Sequence, residues 1–404
     1  MSLLNGERLE FASGAETPSD APSDEEINEK YVRGEIRIIT ESARYPLSAI
    51  ASMAEDSAYR LAPEYQRRHR WKPEQKSRLI ESLIMNVPIP PIFLYEYDYS
   101  KYEVMDGLQR LTAIHDFYRD AFALTGLTQW PELDGKVYSC LPSKVREGID
   151  RRYLSSVILL KETAKNEDEA LRLKKMVFER LNSGGTKLTP QETRNAIFDG
   201  DLNRLCIRLS KNASLCRLWS LPLPDERELS GDGTPSDERR ENEDFRKMDD
   251  VELVLRFFAF RQKQRLHKST VPLSVYLDAY LRNGNAFPQA TRGGLEQLFV
   301  STIELVERVF GERAFWLFRQ RKGDKWSWLE RPTTTVYDAL MGAVSRQLES
   351  AEALLSKADF IQNRMEGFYR DNYDTFEGRN VNPTALSARE DALMTFLAEC
   401  VNAP

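Results

Sequence analysis

Metal-binding and disulfide chemistry have little to work with in this sequence. Its three histidines, His69, His115 and His267, are far apart, and no two lie at metal-ligand spacing. Its four cysteines, Cys140, Cys206, Cys216 and Cys400, form no Cys-x-x-Cys pair. Scattered cysteines of this kind read as reduced thiols, mostly buried. No apolar run approaches the roughly 18 residues a membrane helix needs, so no membrane partner is expected. The opening "MSLLNGERLEFASGAETPSD" has no basic region followed by an apolar core, and a cytoplasmic chain without a secretory leader is expected. There is no Gly-x-x-x-x-Gly-Lys-Ser/Thr run, which excludes a P-loop. There is no Gly-x-Ser-x-Gly elbow, which removes the commonest serine-hydrolase signature. No internal repeat is evident.

What is present begins with length. The 404 residues, 41% of them apolar, suffice for two domains with separate cores. The net charge of −6 argues on its face against nucleic acid, but its distribution does not. Residues 1–33 carry a net −5 and residues 224–250 a net −6, which leaves the remaining chain at +5. Both acidic segments have the composition of disordered chain, and the rest is basic enough to accept a nucleotide or nucleic acid.

The order of elements points to a mixed α/β fold. Residues 1–33 read as a disordered tail and residues 34–221 as an α/β domain. Residues 222–250 read as a charged linker or insertion, and residues 251–404 as a mainly α-helical domain. "IRIIT" and "YPLSAIASMA" predict a strand and a short helix. In "WKPEQKSRLIESLIMNVPIPPIFLYEY", Pro73 suits a first helical turn, and Leu79, Ile80, Leu83, Ile84 and Val87 repeat at helical spacing. The "PIPP" run ends that helix and forces an extended chain. "IFLYEY" and "YEVMD" then predict a hairpin that delivers Asp106 at a strand end. "SSVILLKE" predicts a buried strand, and residues 167–182 a helix. In "LTPQETRNAIFDG", Thr189, Pro190 and Glu192 predict an N-cap, a first helical residue and a capping box. Helical patterns dominate after Val251. "RAFWLFRQRKGDKWSWLER" mixes aromatic and basic residues; it reads as a core helix with a basic exposed face, with a DNA-facing surface as the sharper alternative.

Three short stretches are candidates for chemistry. In "YEVMDGLQRLTAIHDFY", Gly107 permits a tight strand-to-helix turn, and the helix that follows offers free N–H groups and a positive dipole end. Gln109 adds an amide and Arg110 a guanidinium matched to phosphate oxygens. Asp106 is placed to hold a divalent cation or orient a water. Taken alone, the same turn reads as a helix cap with a surface arginine. In "YQRRHRWK", Arg67, Arg68, Arg70 and Lys72 alternate with Tyr65, His69 and Trp71. Bases there neutralise phosphate and aromatics stack on a base, or the stretch is a solvated basic loop with Trp71 in the core. In "FERLNSGGTKLTPQETRN", Asn182, Gly184 and Gly185 form either a close backbone approach to a ligand or a helix C-cap.

The order of these stretches resembles one family. Y-Q-R-x-x-x-W, the "PIPPIFL" helix end, D-G-x-Q-R-L-T and F-x-R-L-N-x-G-G-x-x-L-x-x-Q-E-x-R-N together resemble the ParB/sulfiredoxin-like nucleotide-hydrolase family with a DGQQR motif. That family includes the GmrS part of GmrSD-type modification-dependent restriction systems and the N-terminal domain of SspE. The resemblance covers about residues 60–200. It implies a small ParB/sulfiredoxin-like sheet with helices, a nucleoside triphosphate as ligand and hydrolysis aided by a divalent cation, Mg or Ca. It assigns Asp106, Gln109 and Arg110 to catalysis, with Asp106 as the metal residue. Gln66, Arg67, Gly107, Asn182, Gly184 and Gly185 are assigned to nucleotide binding. Arg68, Arg70 and Lys72 are candidate DNA contacts. Leu108 stands where the family motif usually has Gln, and His69 where an aromatic is common. Beyond residue 115 only His267 remains, so the HNH nuclease of many relatives is not expected here, and cleavage would fall to a separate HNH-type subunit. The expected function is an NTP-hydrolysing subunit of an anti-phage DNA restriction system. The alternative is a non-catalytic, nucleotide-gated DNA-binding or adaptor protein.

Overall fold

The computed structural model describes residues 3–7, 23–33, 38–53, 55–60, 68, 71–181, 189–230, 235–266, 271–321, 325–378 and 383–403. The chain forms two compact units: residues 13–188, and residues 189–404 together with residues 1–12. The first is mixed α/β, and the second is mostly helical.

Among the described residues the sheet unit contains five strands: β1 (Thr40–Pro46), β2 (Tyr59–Arg60), β3 (Ile92–Asp98), β4 (Lys101–Asp106) and β5 (Tyr153–Leu159). Their order is β1-β5-β3-β4-β2. β3 and β4 form the antiparallel hairpin expected from the sequence, while β5 lies parallel to β3 and antiparallel to β1. Among the described residues six helices accompany the sheet: α1 (Asp24–Arg33), α2 (Leu47–Met53), α3 (Pro73–Ile84), α4 (Leu108–Tyr118), α5 (Ser143–Asp150) and α6 (Glu167–Leu181). The start of α3 follows from Pro73 at its first position, and its buried stripe is Leu79, Ile80 and Leu83. These residues join Leu47 and Ile50 of α2, Leu111, Ile114 and Phe117 of α4, and Leu94 and Val104 of the sheet in one core. Alternation along the strands turns Tyr95 and Glu103 to the other face. There Lys174 of α6 places its Nζ 2.7 Å from Glu103, with both side chains largely buried. The sheet therefore lies between two helical layers. Inside the first layer the buried Glu81 carboxylate accepts from the backbone N–H groups of Gln129 and Trp130, at 2.7 and 3.0 Å. This pins the irregular segment after α4.

The helical unit begins with the capping box foreseen at Thr189. The Glu192 N–H donates to Thr189 Oγ1 at 3.2 Å, and the Glu192 carboxylate accepts from the Thr189 N–H at 2.5 Å. The helix Pro190–Ile197 buries Arg194, which is neutralised by Asp278 and Glu252 at 2.8 Å each. The core is formed by the helices Asp249–Leu266, Gln289–Phe310, Thr334–Ser345 and Pro383–Asn402. Residues 3–7 also belong to this unit. Glu7 is fully buried, and its carboxylate meets Arg261 at 2.8 Å. The expectation of a disordered tail thus fails for residues 3–7, because a buried guanidinium needs an anion. It differs again at residues 24–33, which form α1.

Two further differences lie in the helical unit. Residues 224–250, acidic enough to read as disordered, form three short helices at Glu226–Ser230, Asp237–Glu241 and Glu243–Arg246. Arg239 and Glu228 pair at 3.0 Å in full burial, and Phe245 is buried beside them. The stretch "WLFRQRKGDKWSWLERP" forms a β-hairpin, β6 (Trp316–Gln320) and β7 (Trp326–Pro332), rather than a helix. Its aromatic residues suit a pleated surface.

The start of the helix Asp249–Leu266 gives a pH prediction. Burial, with Asp244 and Glu252 nearby, pushes the Asp249 carboxyl up from 3.8 to about 7. A raised folded-state pKa contributes stability at low pH and loses it as pH rises through the folded value. Stability at this position therefore falls between about pH 4 and pH 7. Asp249→Asn is expected to flatten that slope and to raise the urea midpoint at mildly alkaline pH. A variant whose midpoint tracks the parent's at every pH counts against it.

Candidate functional site

The site is built on the turn between β4 and α4. Asp106 is the last residue of β4, and Gly107 caps α4 with φ +93°. In that left-handed conformation a side chain is strained. Space forbids one as well: a Cβ at Gly107 would lie 2.5 Å from Ile92 Cγ2 and 3.0 Å from Arg110 Nη2. Glycine is therefore required twice, by torsion and by the approach of β3. The chain leaves this turn with the first N–H groups of α4 lacking helical acceptors, as every helix start does.

Arg110 lies one turn into α4 and reaches back. Its Nη2 donates to Asp106 Oδ2 at 2.7 Å, and its Nη1 donates to the Pro90 carbonyl at 2.7 Å. The arginine side chain is 12% exposed and the aspartate side chain 45%. Asp106 and Arg110 are thus direct partners. The second Asp106 oxygen accepts no hydrogen bond from a described residue. Pro90 belongs to the "PIPP" run, so the segment that ends α3 also fixes the arginine. The carbonyl that anchors Arg110 had no signal in the sequence, because any residue supplies one.

Gln109 joins the first basic-aromatic stretch to this turn. Its Oε1 accepts from the Trp71 backbone N–H at 3.1 Å. Trp71 packs against the core of the sheet unit, the structural alternative weighed for it. Arg68 is 6% exposed, so its position differs from that of a surface DNA contact. A guanidinium is buried when it is held by partners rather than offered to solvent. Lys72 is exposed at the start of α3. Gln66, Arg67, His69, Arg70, Asn182, Gly184 and Gly185 lie outside the described residues.

Leu108 packs against the hydrophobic core of the sheet unit. Leucine at this position therefore satisfies a packing requirement, and its substitution for glutamine removes no group from the Asp106–Arg110 pair. Arg194 and Asn195 of the third motif are interior to the helical unit, at 2% and 0% exposure.

Together, Asp106, Gly107, Gln109 and Arg110, the Pro90 carbonyl and the Trp71 amide bring three segments to one helix start. Among the described residues no group of three His, Cys, Asp or Glu side chains is placed to hold a metal ion. A cation here would take one carboxylate oxygen from Asp106 and the rest of its shell from a phosphate-bearing ligand and water, the usual arrangement for Mg²⁺. No helix among the described residues is long and apolar enough to cross a membrane.

Residues 50–198 match the family model described as "GmrSD restriction endonuclease, N-terminal domain". The match covers less than half of the chain and takes in all three motif-bearing stretches. It runs through the helix Pro190–Ile197, so it ends inside the helical unit. No curated protein and no solved structure gave a match.

Proposed function

We propose that this restriction-system component of GmrSD type binds a nucleoside triphosphate at the Asp106–Arg110 turn and hydrolyses it in the service of anti-phage defence. The observation that carries the reading is the Asp106–Arg110–Pro90 arrangement at the start of α4. It holds an arginine in one orientation beside backbone N–H groups that already favour anions. In this reading the phosphates sit against the first turn of α4. Arg110 offers its remaining donors to them and stabilises the charge that builds on transfer. Gln109, anchored by the Trp71 amide, keeps the first turn of α4 in register with the basic stretch before it. Asp106 holds the cation that travels with the nucleotide, or orients the attacking water. The cation would supply neutralisation of phosphate charge. Arg67 would add a second positive charge, and Gln66, Asn182, Gly184 and Gly185 would border the nucleotide, as the family resemblance implies.

DNA and a separate nuclease subunit are the partners this reading assigns, the chain itself supplying the nucleotide step in the cytoplasm. Leucine at position 108 is compatible with turnover, since it faces the core. The direct test is purified full chain with each NTP and Mg²⁺ or Ca²⁺, read for phosphate release and for a melting shift. Release with a shift supports hydrolysis. A shift without release would make the protein a nucleotide-gated switch or adaptor, and neither signal with any NTP overturns the proposal.

A further inference from the structure

The β6–β7 hairpin of the helical unit is not used by the nucleotide turn, and its composition is unusual. One face of the hairpin carries Phe318, Trp326 and Trp328. Phe318 stacks on Trp326 with ring centroids 5.6 Å apart and lies 5.2 Å from Trp328. Trp326 meets Tyr373 edge-on at 5.4 Å. Arg370 lies over both Phe318 and Trp326, at 5.4 and 5.6 Å from the ring centroids. Beside this aromatic patch is an open recess, lined mainly by Phe318, Arg319, Gln320, Tyr369, Tyr373 and Phe376.

Positive charge also gathers at the patch. Arg194, Arg208, Arg217, Arg256, Arg261 and Arg292 each pair with a carboxylate. Arg313, Arg319, Arg321, Lys325, Arg331 and Arg370 are all exposed, and none pairs with a carboxylate among the described residues. Two of the neighbouring acids are already engaged. Glu366 accepts from Trp328 Nε1 at 3.0 Å, and Glu377 accepts from the Tyr373 hydroxyl at 2.9 Å.

The recess also holds an unmet hydrogen bond. Tyr369 is 1% exposed, and its hydroxyl has no partner among the described residues. A buried hydroxyl without a partner is destabilising, so a polar ligand atom that reached it would relieve it. The outer edge of β6 is likewise unpaired by any described strand, and every second residue of such an edge turns its N–H and C=O outward.

We infer that this recess binds an unpaired nucleotide of a DNA strand. A planar heteroaromatic ring satisfies the aromatic walls by stacking, and its edge atoms satisfy the Tyr369 hydroxyl and the free strand edge. Arg319 and Arg370 take the flanking phosphates. An acidic peptide would match the charge but not the walls. The inference rests on the reading of the chain as one that acts on DNA, and it is independent of hydrolysis at the Asp106 turn.

The test uses the full chain and a labelled oligodeoxynucleotide, single-stranded or annealed to its complement, read by fluorescence anisotropy without NTP. The double variant Arg319→Ala/Arg370→Ala is expected to bind the single strand about tenfold or more weakly. Its salt dependence should be shallower by roughly 1.4 in log–log slope, the loss of two phosphate contacts. Tyr369→Phe keeps the ring and removes only the hydroxyl. It is expected to weaken binding several-fold with the salt slope and melting temperature unchanged. The single strand should bind more tightly than the duplex. Tight duplex binding indifferent to Tyr369→Phe would overturn the unpaired-base reading. Parental affinity in both folded variants overturns the site while leaving DNA binding elsewhere. A parent chain that binds neither oligonucleotide overturns the site and the DNA reading together.

Discussion

Asp106→Ala is expected to lower NTP turnover by roughly 10²-fold or more, the usual cost of removing one positioned polar group from a charge-developing step, while the protein stays folded. The two halves of that expectation come from different features. Asp106 is nearly half exposed, and its pair with Arg110 spans a single helical turn. A pair with one partner half exposed contributes about 0–1 kcal/mol to stability, and Arg110 keeps the Pro90 carbonyl, so the melting temperature should move little. The catalytic loss has two sources. On the proposed mechanism the carboxylate would no longer hold cation or water, and Arg110 keeps only the Pro90 carbonyl as an anchor. Asp106→Asn separates them, since an amide oxygen can still accept from Arg110 but lacks the charge that attracts a cation. If Asn restores turnover, Asp106 acts mainly by positioning Arg110; if it does not, the charge itself is required. Phosphate release at parental rate from a folded Asp106→Ala protein would remove the carboxylate from the mechanism.

Gly107→Ala should be the most damaging single-methyl change in the sheet unit. The added Cβ meets Ile92 at 2.5 Å, and the backbone at φ +93° resists any L side chain. Neither problem is solved by moving a flexible tip, because Ile92 is fully buried at the start of β3. Strain of about 1–3 kcal/mol from the torsion and a comparable amount from overpacking give a loss of about 3 kcal/mol. For a unit of this size that lowers the melting temperature by roughly 10 °C. Denaturant titration by far-UV circular dichroism measures it. A variant within 0.5 kcal/mol of the parent, a limit at roughly the scale of ordinary surface changes, would show that the turn is not built as described. Ile92→Val in the same background should recover little of the loss, because valine keeps both the Cγ2 methyl and the Cβ that the added carbon meets.

These two residues also show what the sequence can disclose. Asp-Gly after a strand pattern announces a turn, and Pro73 and the Thr189–Glu192 box announce helix starts, because all of these are decided within a few residues. Pairings that depend on distant chain are a different matter. β1 pairs with β5 across more than 100 residues, and nothing local in "TESARYP", which begins where the predicted strand "IRIIT" ends, specifies that partner. The Asp106–Arg110 pair was open to reading from spacing, since residues four apart on a helix meet. The carbonyl of Pro90 and the amide of Trp71 were not, because backbone groups have no sequence signature. Composition misled at residues 224–250. Helices of four or five residues are too short to show periodicity, so a buried pair such as Arg239–Glu228 looks like more surface charge. It misled again at "WLFRQ" and "WSWLE", where alternation over five residues is hard to tell from a short helical stripe.

The Glu7–Arg261 pair has a consequence for how the chain is made. During synthesis residues 3–7 emerge well before residue 261, with the whole sheet unit between them. Arg261 and Gln262 reach the growing helical unit with their acceptors already waiting in solution on a segment translated first. The helical unit therefore includes a segment that none of its own residues near Arg261 can hold until that part of the chain has emerged. Anything that captures residues 3–7 early, whether a chaperone or an added peptide tag, would act on the helical unit although it binds far from it in sequence.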